Sequence, residues 1–71
     1  MGKITYIVQW EHRTWGYPLG DKIFRKEYKN LESAGRLAKE KEKQVKTKEV
    51  IIFMKQPGKP LKVIYQKDVW N

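Results

Sequence analysis

The first stretch of the chain alternates. Ile4, Tyr6, Val8 and Trp10 occupy one set of alternate positions, and Lys3, Thr5, Gln9 and Glu11 the other, with Ile7 the exception. A two-residue period is the pleat of a strand with one buried face, so residues 3–12 predict a strand. Residues 13–21 hold two glycines and a proline and predict a loop. A second, less regular strand follows from about Lys22 to Tyr28.

The period then changes. Asn30 is a candidate N-cap, whose side-chain oxygen accepts a free backbone N–H of a first helical turn, and Glu32 suits the positive end of the helix dipole. At about 100° per residue, Leu31, Ala34, Ala38 and Val45 share one stripe, with Gly35 and Leu37 at its edges. The small residues at 34, 35 and 38 suit a helix lying close on a sheet. Glu32–Arg36 and Glu42–Lys46 stand in the favourable i,i+4 order, each contributing about 0.2–0.5 kcal/mol. Val50 to Met54 is apolar on both alternating sets, as in a central strand. Gln56-Pro57-Gly58-Lys59-Pro60 predicts a turn, Pro57 presetting φ and Gly58 accepting a positive φ. Leu61 to about Val69 forms the last strand.

These elements predict an α+β fold over a single domain, residues 1–71. A four-stranded sheet of two β-hairpins carries one α-helix on one face, in the order ββαββ. The helical crossover makes strands two and three parallel and leaves the order across the sheet open. Setting Met54 opposite Leu61 puts Val50, Ile52 and Met54 beside Tyr65, Val63 and Leu61. With Ile4, Tyr6, Val8, Trp10 and the helix stripe, these make the core. The other sheet face then carries Ile7, Ile51, Phe53 and Ile64 with Lys62 and Gln66, joined by either Ile23 and Arg25 or Phe24 and Lys26. One helix covers one face of four strands. The second face is therefore expected to be apolar, partly basic and open to a partner or to a second copy of the chain, as a homodimer.

Charge adds a direction to this picture. Sixteen Lys and Arg stand against eight Asp and Glu, a net +8 in 71 residues. The stretch from Arg36 to Lys67 holds most of the excess. Such a field favours polyanions: nucleic acid, an anionic membrane surface or an acidic protein. The absence of cysteine rules out a disulfide framework and a thiolate metal site and fits a reducing compartment. The stretch Ile4–Trp10 is broken by Thr5 and Gln9, and no run approaches membrane-spanning length. A soluble, cytoplasmic protein with no membrane partner is expected.

The inventory for catalysis is thin. His12 is the sole histidine, the carboxylates are scattered, and Gly16-x-x-x-Gly20 lacks the flanks of a phosphate-cradling loop. The chain therefore reads as a binding protein, not an enzyme, with no cofactor and no metal. Two loop tips carry candidate contacts. In the first, Trp15 and Tyr17 beside Arg13 would stack on bases or enter a partner's pocket, or else fold back over the end of the core. In the second, Lys55, Lys59 and Lys62 would sit on phosphates, or else guard a strand edge from aggregation. Alternation from Ile64 sets Trp70 on the open face, or else it folds over an edge of the sheet. The candidate binding residues are thus Arg13, Trp15, Tyr17, Arg25, Phe53, Lys55, Lys59 and Lys62.

Tyr6-Ile7-Val8-Gln9-Trp10, then Tyr28-x-Asn30-Leu31-Glu32-x-Ala34, then Val50-Ile51-Ile52-Phe53 give an architecture that resembles small bacteriophage and mobile-element proteins of ββαββ pattern. The resemblance covers most of the chain. It implies expression inside a bacterial host and a role as a nucleic-acid binder or as an inhibitor of a host protein. The hairpin-plus-helix half is also similar to the sheet-based DNA-binding arms of phage integrases. Those have three strands before their helix where this chain has two, so no DNA-contacting residue is carried over. Two functions are expected from residues and resemblance together. The chain binds nucleic acid through a basic and aromatic surface, or it docks on an acidic host protein through the open sheet face or the Trp15/Tyr17 loop.

Overall fold

A computed structural model of the chain describes residues 2–13 and 21–69, with backbone alone at Arg13 and Asp21. Its elements are β1 (Thr5–Arg13), β2 (Asp21–Tyr28), α1 (Leu31–Glu42), β3 (Thr47–Lys55) and β4 (Lys62–Asp68). This is the α+β architecture that the hydrophobic pattern predicts. The sheet order is β2-β1-β3-β4, and every neighbouring pair is antiparallel. β2 and β3 both run against β1 and so share a direction, as the crossover requires, but β1 lies between them. The edges are β2 and β4.

The registers sort the side chains into two faces, because directly opposed residues share a face. Tyr6 lies between Tyr28 and Met54, Val8 between Lys26 and Ile52, and Trp10 between Phe24 and Val50. This row system faces the helix. It also settles the orientation of β2: Phe24 and Lys26 join the helix side, Ile23 and Arg25 the other.

α1 begins where the cap predicts. Asn30 is extended, with φ −131° and ψ 153°, and its side chain accepts the Ser33 N–H at 2.8 Å. Glu32 and Arg36 form the expected pair at 2.8 Å. Ala34 and Ala38 are buried against Val8, Trp10, Val50 and Ile52, with Tyr6, Tyr28, Leu37 and Val69 packed around them. Gly35 takes no part in this close approach, since a methyl group there would meet nothing within 4 Å.

The helix stops sooner than the stripe to Val45 predicts. Lys43 caps it, donating its N–H to the Glu40 carbonyl at 3.3 Å, and Val45 lies in the following turn, 81% exposed. The run Lys39-Glu40-Lys41-Glu42-Lys43 offers the sheet no apolar residue, and propensity alone holds a helix weakly. Glu42 consequently does not pair with Lys46. The Tyr65 hydroxyl donates to it, and Lys67 approaches within 4.0 Å.

The second hairpin also departs from the expected register. Ile52 faces Tyr65 and Met54 faces Lys62, with Ile64 left over as a bulge between Tyr65 and Val63. Pro60 has no N–H for a ladder, so Pro60 and Leu61 stay in the turn and pairing starts at Lys62. Gly58 supplies the turn's positive φ, 71°. As a result Leu61, Val63 and Tyr65 are exposed instead of joining the core, as is Ile4. Val63, not Ile64 or Lys62, stands opposite Phe53 on the far face. A second irregularity, at Lys48 in β3, turns the fully buried Thr47 toward the helix side, opposite His12.

Candidate functional site

The two faces differ in charge. The helix sides of the four strands carry Lys22, Lys26, Lys62 and Lys67, and among the described side chains no acidic residue. α1 and the turn after it add Arg36, Lys39, Lys41, Lys43 and Lys46 against Glu32, Glu40 and Glu42; Glu32 is engaged by Arg36, and Glu42 by Tyr65 with Lys67. The far face carries Glu11, Glu27, Glu49 and Asp68, and the first, third and fourth of these lie side by side across β1, β3 and β4. Arg25, Lys48 and Lys55 share that face, so the expected partly basic open face is also partly acidic, with charges of both signs.

Nor is that face an open apolar surface. Ile51 is buried although no helix covers it, and Ile7 and Phe53 are half-buried. Long polar side chains lie across the sheet there, their stems covering apolar atoms. Arg25 Nε donates to Gln9 Oε1 at 2.7 Å, Gln66 Nε2 to Glu49 Oε2 at 3.0 Å, and the Thr5 hydroxyl to Glu27. Lys48 lies 3.4 Å from Glu11. Ile23 and Val63 remain as exposed apolar residues at its two edges.

The candidate residues do not converge. Trp15, Tyr17, Trp70 and the Arg13 side chain lie outside the described residues. Arg25 sits on the far face of β2, held by Gln9, while Lys62 sits on the helix side of β4. These two are on opposite faces and opposite edges of the sheet. Phe53 is half-buried on the far face, Lys55 ends β3 and Lys59 lies in the β3–β4 turn.

What gathers instead is a strip on β2 that the candidate set omits. Lys22, Phe24, Lys26 and Tyr28 alternate, basic then aromatic, along the helix side of this edge strand. The backbone of α1 lies over β1 and β3, touches only the margin of β2 and stays clear of β4; on β2, Lys22, Phe24 and Lys26 are exposed and Tyr28 is half-buried against the core. Phe24 is 39% exposed. Its ring stacks on Trp10, centroids 5.7 Å apart and planes 18° apart, and the His12 ring tilts against it at 5.0 Å. Lys26 Nζ lies 5.4 Å from the Tyr28 ring centroid, and Lys41 Nζ 4.8 Å from that of Trp10. The alternation is visible in the sequence; the face it occupies is fixed by the β1–β2 register.

Comparison with protein-family models finds none that matches the chain, and no curated protein or solved structure is significantly similar. The site therefore stands on its own chemistry. Burial holds the His12 pKa below its ordinary value, and the positive charges of Lys41 and Lys46 push it the same way, against a hydrogen bond that the imidazolium donates to Gln44. His12 Nε2, Trp10 Nε1 and Thr47 Oγ1 are buried at this end of the sheet without a protein partner.

The other flank of α1 has a different character. Because α1 stays clear of β4 and Gly35 has no side chain, a groove of about 400 Å³ opens between them, floored by Ile52 and walled by Leu31, Ala38, Ile64 and Tyr65. Lys39 and Glu42 stand at its rim. Its hydrogen bond to Glu42 raises the Tyr65 hydroxyl above its usual pKa, and burial and the Glu42 charge add to this. Among the described residues no group of three His, Asp or Glu could hold a metal, and no helix is long and apolar enough to cross a membrane.

Proposed function

We propose that the chain is a non-enzymatic nucleic-acid-binding protein that meets its ligand with the helix side of the sheet. The segregation of charge carries this reading. Basic residues of β2, β4, α1 and the turn after it well outnumber the α1 carboxylates Glu32, Glu40 and Glu42 on one side, whereas the strand-borne carboxylates on the other roughly balance Arg25, Lys48 and Lys55. A polyanion is drawn to the first side more than to the second, so the field orients the encounter as well as speeding it. Phosphate contacts of this kind supply affinity without sequence information. Each phosphate neutralised releases counterions, so the affinity for a labelled oligonucleotide should fall steeply between about 50 and 200 mM salt. A flat response over that range would contradict the reading.

The groove between α1 and β4 favours a second reading, an acidic protein whose apolar side chain seats there while the lysines accelerate docking. A partner that stays bound after nuclease treatment supports this second reading, and a partner released by nuclease supports the first.

A further inference from the structure

We infer that the nucleic acid bound by this face is single-stranded, and that it runs along β2 with one base stacked on the outer side of Phe24. This rests on the nucleic-acid reading above and names the form of the ligand.

The argument starts from the spacing of the strip. Alternate residues of a strand lie on one face about 7 Å apart, so Lys22, Phe24, Lys26 and Tyr28 form a row of cation, ring, cation, ring. A single strand has a flexible backbone and can match that step, whereas duplex strands are held at about 3.4 Å per base. The rings decide further. Phe24 packs one side on Trp10 and is steadied by His12, and β2 is an edge strand, so its exposed remainder opens outward. A base laid there prolongs the Trp10–Phe24 stack by one ring. In a duplex both faces of each base are already covered by its neighbours. Only an unpaired base has a free π-face to give. The lysines on either side of Phe24 then reach the phosphates flanking that base. The ring is held by its neighbours before any ligand arrives, so little side-chain freedom is lost on binding.

The test compares fluorescence anisotropy of a labelled oligothymidylate with that of a labelled duplex of equal length, at low salt. The wild-type chain should bind the single strand more tightly. Phe24→Leu keeps an apolar side chain and removes the ring, and should weaken single-strand binding roughly 5- to 150-fold, the worth of one base–aromatic stack, with duplex binding little changed. Phe24→Trp should restore it. Equal or tighter binding of the duplex by the wild-type chain would overturn the inference and leave the nucleic-acid reading standing. Binding to neither at low salt would overturn both. The wild-type comparison needs no variant, so a poorly folded Phe24→Leu chain does not blunt the test.

Discussion

His12 lies between Lys22 and Thr47 in the strand registers, beneath Phe24 and close to Lys41, Lys46 and Gln44. Burial disfavours its charged form and both nearby charges are positive, which together outweigh the hydrogen bond to Gln44, so its pKa in the fold lies below its ordinary value of 6.5. The unfolded chain then binds the proton more readily than the folded one. Stability is intact above the unfolded pKa and is lost as pH falls through it toward the lowered folded value. Thermal unfolding followed from pH 7.5 to about 5 should show the midpoint dropping most steeply below about 6.5, and His12→Gln should flatten that slope. Local features such as the Asn30 cap and the positive φ at Gly58 are legible in the sequence, because each depends on its own few neighbours. The surroundings of His12 are not. They come from β2, α1, the turn after it and β3, all distant along the chain.

At the scale of elements, α1 is held by two alanines. Ala34 and Ala38 bring the helix down onto Val8, Trp10, Val50 and Ile52, and Ala34 is fully buried there, away from the groove that Ala38 borders. Ala34→Leu should therefore cost about 1–3 kcal/mol by overpacking. Gly35→Ala, on the groove side where a methyl meets nothing, should stabilise by about 0.5–1 kcal/mol through helix propensity. Urea unfolding of the two variants checks both signs. The existence and order of the elements follow from the sequence, since their periods are strong. Their registers follow less well. The bulges at Lys48 and Ile64 each shift a strand by one residue, and a one-residue slip moves every later side chain to the other face. That is why Val63 and Ile64 exchange their expected environments, and why Thr47 reaches the helix side.

For the whole molecule, net charge says little until it is divided between faces. The sequence shows an excess of lysine after Arg36, yet the decisive asymmetry is that strand carboxylates cluster on the far face while helix-side strand positions carry lysine. The far face was expected to receive the partner because no helix covers it. Polar side chains drawn across Ile7, Ile51 and Phe53 close much of it, and its charges are of both signs. The surface proposed for a nucleic acid is the strip of β2 beside α1, with the lysines of the helix and of the turn after it. In that proposal Lys22, Lys26 and Phe24 are the central members, a grouping that the alternation of β2 leaves open until β1 pairs with it.

Two double charge reversals separate a directed surface from a merely basic protein. Lys22→Glu with Lys26→Glu changes the helix side, Arg25→Glu with Lys55→Glu the far face, and both pairs alter net charge equally. Affinity for the labelled single strand should fall at least about tenfold with the first pair and within about twofold with the second. An equal loss in both, or a greater loss with Arg25 and Lys55, would contradict the assignment of the binding face.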